Sequence, residues 1–143
     1  MAGKSTAYCT AILALLLNAT GIPNIADNTA TSPASTLYLS LHTASPGATG
    51  NQSTNEAAYT SYARASIART SAGFTVASGV ATLTSAVNFA TATGGSETET
   101  YMGVGLSSTG AGTLYYYGPL SPNIAVSNGV TPQLTTGTTI TET

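Results

Sequence analysis

The side chains able to run acid–base or nucleophilic chemistry are few enough to weigh one by one. Nucleophilic catalysis needs a nucleophile, a base and a group that orients the base. Serines are abundant, but His42 is the only histidine and Asp27 the only aspartate. No Gly-x-Ser-x-Gly elbow surrounds any serine. A Ser-His-Asp site is therefore not expected. Glu97 and Glu99 are the next candidates, since glycoside hydrolysis uses two carboxylates and residues two apart on a strand share a face. A solvated strand edge beside the Gly94-Gly95 turn explains them equally well. They could also hold calcium with backbone oxygens, yet no Asp-rich loop accompanies them. Cys9 is the single cysteine, so no internal disulfide and no Cys/His zinc cluster can form. It reads as a small buried residue on a helix. The chain is expected to be no enzyme and to need neither metal nor cofactor.

Gly103 and Gly105, and again Gly110 and Gly112, could suggest phosphate cradles. Neither pair continues into Gly-Lys-Ser/Thr or opens a helix, so both read as bends or turns. In the run Tyr115-Tyr116-Tyr117, alternation sends Tyr116 to one face and Tyr115 and Tyr117 to the other. That outer pair is a candidate subunit interface, or a platform that stacks on a sugar. Core packing is the plainer reading. Glu56 precedes a segment bearing Tyr59, Tyr62, Arg64 and Arg69. In so uncharged a chain, an arginine paired with Glu56 would pin a loop to a sheet or bridge two subunits. His42, Glu56, Arg64 and Arg69 are thus a candidate structural polar cluster.

These residues need elements to position them. Ser5 or Thr6 can cap a helix running to about Asn18, with Gly21 and Pro23 beyond it. Ala7, Ala11, Leu15 and Asn18 share one face of it. Ile12, Leu13, Leu16 and Leu17 widen the apolar stripe almost all round, so the β-domain or a second subunit must cover nearly every side. Those four are candidate subunit-interface residues. Residues 21–35 read as an irregular connector. From Leu37 the period becomes two, with Leu37, Leu39 and Leu41 alternating with Tyr38, Ser40 and His42 as in a half-buried strand. Further strands are expected over 62–69, 74–77, 80–84, 87–90, 97–107, 113–117, 119–126 and 138–143. One helix (1–20) followed by short strands at regular turn spacing (36–143) predicts a single mainly β domain, an antiparallel β-sandwich of jelly-roll type.

Only 6% of the 143 residues are charged while 42% are apolar, and the net charge is −2. A surface of Thr, Ser, Ala and Gly repels its neighbours weakly, which suits a subunit covered by partners. Three basic residues, Lys4, Arg64 and Arg69, cannot neutralise a phosphate backbone, so nucleic acid is excluded. The apolar run Ala11 to Leu17 is far short of the roughly 20 residues that span a bilayer. A signal peptide is its rival reading, because Lys4 precedes it.

The stretch from Leu39 to Gly47 (Leu-Ser-Leu-His-Thr-Ala-Ser-Pro-Gly) continues into Gly50 to Glu56 (Gly-Asn-Gln-Ser-Thr-Asn-Glu), Tyr59, Tyr62, Arg64 and Arg69. It resembles a family of small tailed-phage virion proteins, described as tail-fibre or hypothetical structural proteins. The likeness extends through Thr93 to Gly95, Gly103, Gly105, Gly110, Gly112 and Ser127 to Pro132. It implies a structural virion component with His42, Glu56 and Arg64 as structural motif residues and no catalytic role. The implied partners are copies of the chain itself, a trimer included, and capsid, neck or tail proteins. Because the chain is short and lacks heptads or shaft repeats, a capsid decoration, cement or neck-collar subunit is expected ahead of a receptor- or glycan-binding tail fibre. A hydrolase using Glu97 and Glu99 comes last.

Overall fold

The computed structural model describes residues 5–22 and 33–142. Lys4, Asp27 and most of the expected connector lie outside them. The chain divides into two compact units, one made of residues 1–36, 68–86 and 134–143, the other of 37–67 and 87–133.

The first unit holds the helix α1 (Thr6–Asn18) and a three-stranded antiparallel sheet in the order β3 (Phe74–Ala77), β4 (Val80–Leu83), β9 (Thr139–Thr141). Ser5 caps the helix, its hydroxyl accepting the Tyr8 N–H at 3.2 Å. Ala19 ends it in the left-handed region at φ 54°, and the Thr20 N–H closes back on the Ala14 carbonyl. The buried stripe is Cys9, Leu13 and Leu17, one residue per turn, packed against β3 and β4. The face Ala7–Ala11–Leu15–Asn18 is not the buried one. A helix apolar all round carries no direction of its own, so the sheet beneath it decides which stripe goes under. Leu13 and Leu17 are fully covered by this chain, which makes them core, and only Ile12 and Leu16 are left half-buried.

Ser78 and Gly79 join β3 to β4 with φ of 51° and 76°, the two-residue turn whose twist suits a hairpin. The Gly79 N–H donates to Thr10 Oγ1 at 2.6 Å, fastening the hairpin to the helix. Arg69 fastens the other end. Its guanidinium donates to the carbonyls of Leu15, Leu16 (2.6 Å) and Ala34 (3.0 Å), satisfying helix C-terminal acceptors and placing positive charge at the negative end of the dipole. Arg69→Ala is expected to cost about 2–3 kcal/mol by orphaning these acceptors. Arg69→Lys recovers only part of that in urea melts, since one ammonium does not reproduce the planar fork.

The second unit is built on a four-stranded sheet in the order β2 (Ala65–Ala68), β1 (Thr36–His42), β6 (Ser96–Gly105), β7 (Leu114–Ser127). Antiparallel register sets Leu39 opposite Val104 and Val104 opposite Tyr116, and likewise Leu41, Met102 and Gly118. Cross-strand partners share a face, so this is the core face. The other face carries Ser40, Gly103 and Tyr117 in one row and His42, Tyr101 and Pro119 in the next. β5 (Val87–Asn88) and β8 (Gln133–Leu134) make a separate two-stranded ladder.

The chain is therefore mainly β with one N-terminal helix and several antiparallel sheets. The finer expectation of a sandwich is not shown, since among the described residues no sheet closes into a sandwich or jelly roll. Apart from β1, β6 and β7 the strands are two to four residues long. β7 is also one strand where two were expected, with Leu120 to Asn123 bowing out against Thr100 alone.

Candidate functional site

The polar residues singled out in the sequence converge at the end of β1. His42 and Ser40 were expected on the wet face of a half-buried strand, yet both are fully buried. The segment after β1 turns back over them. Thr43 N–H donates to Asn55 O, Ala57 N–H donates to Leu41 O, and His42 pairs with Glu56 as an isolated bridge. Burial of a polar group requires a partner for each donor and acceptor. His42 Nδ1 lies 2.9 Å from the Thr54 carbonyl, which can only accept, so Nδ1 carries the proton. Nε2 then accepts from the Ser40 hydroxyl at 2.8 Å.

Burial holds the His42 pKa below its usual value, opposed by the Thr54 hydrogen bond and by Glu56. The imidazole is neutral and locked in one tautomer, a strut rather than a base. Between that lowered value and about 6.5 the unfolded chain binds a proton that the folded chain refuses, so acidification through this window removes stability. Urea melts at pH 7 and pH 5 are expected to show a larger loss for the natural chain than for His42→Gln.

Next to the strut sits an ion pair. Arg64 Nε and Nη2 donate to Glu56 Oε1 and Oε2 at 2.6 and 2.7 Å. The remaining guanidinium contacts go to Ser107 O (2.9 Å), Gly110 O (2.7 Å) and Ser53 Oγ (3.3 Å). Tyr62 donates its hydroxyl to Glu56 Oε1 and accepts the Leu41 N–H. Its ring packs edge-on to Tyr59 at 5.3 Å and stacks on Phe89 at 6.4 Å. One arginine thus ties together the segment after β1, the start of β2 and the 107–110 turn. An open depression of about 160 Å³ lies between Tyr62, Arg64 and Ser108 to Gly110. The Arg64 nitrogens and the Glu56 carboxylate are already engaged, so the depression offers no free charge to a ligand.

Of the four residues expected in one polar cluster, His42, Glu56 and Arg64 come together and Arg69 serves α1 instead. Sequence reading missed Gln52. Its side chain is fully buried, and Oε1 accepts the Ser107 N–H at 2.9 Å. A Cβ on Gly105 or on Gly112 would fall on its amide, and one on Gly103 would meet Ser40 Oγ and His42 Nε2 at 2.6 and 2.8 Å. These glycines are not phosphate cradles or simple bends. They are the space into which the covering residues fit, a role that two glycines alternating on one strand face can signal.

Glu97 and Glu99 do share a face, but not a solvated one. Glu99 is fully buried, and Glu97 Oε1 accepts the backbone N–H groups of Ala58 and Tyr59 at 2.8 and 2.7 Å. Tyr115 and Tyr117 are exposed by 39% and 41%, on the outermost strand of the sheet, with Tyr116 turned inward.

Two comparisons with known proteins bear on this arrangement. Residues 14–142 match the model of a family described as Podophage GP4 fiber I protein gp80. No curated protein matches the chain.

Proposed function

From the premise that this chain belongs to the podophage GP4 fiber I protein gp80 family, we propose that it is a module of a phage fibre whose outward contact is made by Tyr115 and Tyr117. The family makes the chain a structural protein of the virion, not an enzyme, and one that assembles with other virion components. It also favours a fibre over the decoration, cement or collar role expected from chain length. A short chain lacking a shaft argues against a fibre only if one polypeptide must build the whole fibre, and a module does not.

The observation that carries the reading is the tyrosine pair. β7 contains no charged residue and forms the edge of its sheet. Pro119, Pro122 and the bow at Leu120 to Asn123 break the row of backbone donors, as edge strands do to avoid pairing with a neighbour. What the edge offers is therefore side chains. Two tyrosines about 7 Å apart on one face present apolar rings with polar tips, suited to a neutral ligand such as the pyranose rings of a host surface glycan. Ile12 and Leu16 remain for contact with a second copy in a trimer or other homo-oligomer.

Tyr115→Ala and Tyr117→Ala should fold, since both rings are half in solvent. The proposal expects particles carrying them to retain the subunit but lose adsorption to host envelope polysaccharide. Particles that lack the subunit would move the tyrosines to an assembly role, as in a cement or collar. Unchanged adsorption and unchanged incorporation would overturn the reading.

A further inference from the structure

The one carboxyl pair in the second unit is built in a way that packing alone does not call for. Neither oxygen of the buried Glu99 carboxyl has a hydrogen-bond partner among the described residues. Its neighbour on the same strand face, Glu97, is committed to the Ala58 and Tyr59 N–H groups. No cation offsets the two acids, because Arg64 and Arg69 donate elsewhere and Lys4 is outside the described residues. The residues opposite on β7, Ile124 and Val126, carry no charge. Tyr59 is the remaining titratable group facing the pair. Burial, then Glu99 and Glu97, push its phenol up to about 12, and its hydroxyl donates to Ala90 O at 3.0 Å.

A second negative charge placed beside Glu97 in this setting would be costly, so the stable state carries one charge and one proton. We propose that Glu97 and Glu99 form a proton-operated latch. While Glu99 keeps its proton, Glu97 bears the pair's single charge and holds the Ala58–Tyr59 backbone on β6. Loss of that proton in mildly alkaline solution sets the carboxylates against each other and frees this segment. Its flanks stay tied, Ala57 N–H to Leu41 O and Thr60 N–H to Gly94 O, so the release is local.

The expected pH window follows from the same geometry. Burial first, then the Glu97 carboxylate, push the Glu99 carboxyl up to about 8. The folded value lies above the unfolded one, so the contribution is complete below the ordinary carboxyl range and is lost as pH rises through 8.

Hydrogen exchange on the full chain, corrected for intrinsic rates, tests the latch between pH 6.5 and 9. Protection of the Ala58 and Tyr59 amides should fall by up to about tenfold per pH unit as the pH rises toward 8 and level off above it, while Ala57 and Thr60 hold. Glu99→Gln should keep all four protected at pH 9. Protection that is flat in the natural chain, or that falls equally in Glu99→Gln, overturns the proposal. Should that variant fail to fold, carbon-detected titration of the natural chain decides. A Glu99 carboxyl titrating near 8 supports the latch, and one titrating in the ordinary range overturns it.

Discussion

Arg64→Ala is expected to lower the unfolding free energy by about 3–5 kcal/mol, the cost of leaving a largely buried partner charge without its mate. The Arg64 side chain is 2% exposed and that of Glu56 17%. The loss is not confined to the ion pair, because the carbonyls of Ser107 and Gly110 lose their donor as well. Glu56→Gln should cost less, since Tyr62 and the arginine can still bond to a neutral amide oxygen. The double variant Glu56→Gln with Arg64→Met is expected to fall short of the sum of its singles, because the two residues act as one unit. Urea melts read both effects. A loss below about 1 kcal/mol for Arg64→Ala would mean that the pair behaves like a surface bridge.

Gly105→Ala should be nearly as damaging, at about 2–3 kcal/mol, although it adds one methyl group. The new carbon would occupy the place of the Gln52 amide. Gln52 cannot swing into solvent without giving up the Ser107 N–H and emptying the slot it fills. Relief is therefore expected from the partner. Adding Gln52→Ala to Gly105→Ala should cost less than the two single losses together, a non-additivity that marks direct contact. Strict additivity would show that the glycine is needed for backbone reasons instead.

Much of the fold could be read in the order of residues. Ser5 or Thr6 marked the helix start, since a hydroxyl there can cap the exposed N–H groups, and Ser5 is the one that does. The alternation of Leu37, Leu39 and Leu41 located β1, and short strands at 74–77 and 80–84 were expected where β3 and β4 lie. Other features were hidden for physical reasons. The helix face could not be chosen because Cys9, Leu13 and Leu17 are no more apolar than their neighbours. β8 is two residues long and has no period to detect. Gln52 and Glu99 are polar letters in polar stretches, and only the chain that folds across them makes them interior. The Glu56–Arg64 link was foreseeable in kind, since few charges leave few ways to pair them, but choosing Arg64 over Arg69 required knowing that α1 ends beside Arg69.

The first unit is sewn from three separated lengths of chain, the opening helix, the β3–β4 hairpin and β9. On the ribosome the helix and the hairpin emerge early, yet the free side of β4 stays bare until β9 has been made, after the whole of the second unit's later segment. Contacts so distant along the polymer close slowly, and an open sheet edge in a weakly charged chain invites mispairing meanwhile. A nascent or truncated polypeptide therefore lacks a finished first unit, and cells synthesising it at high level should accumulate aggregates whenever translation stalls before β9.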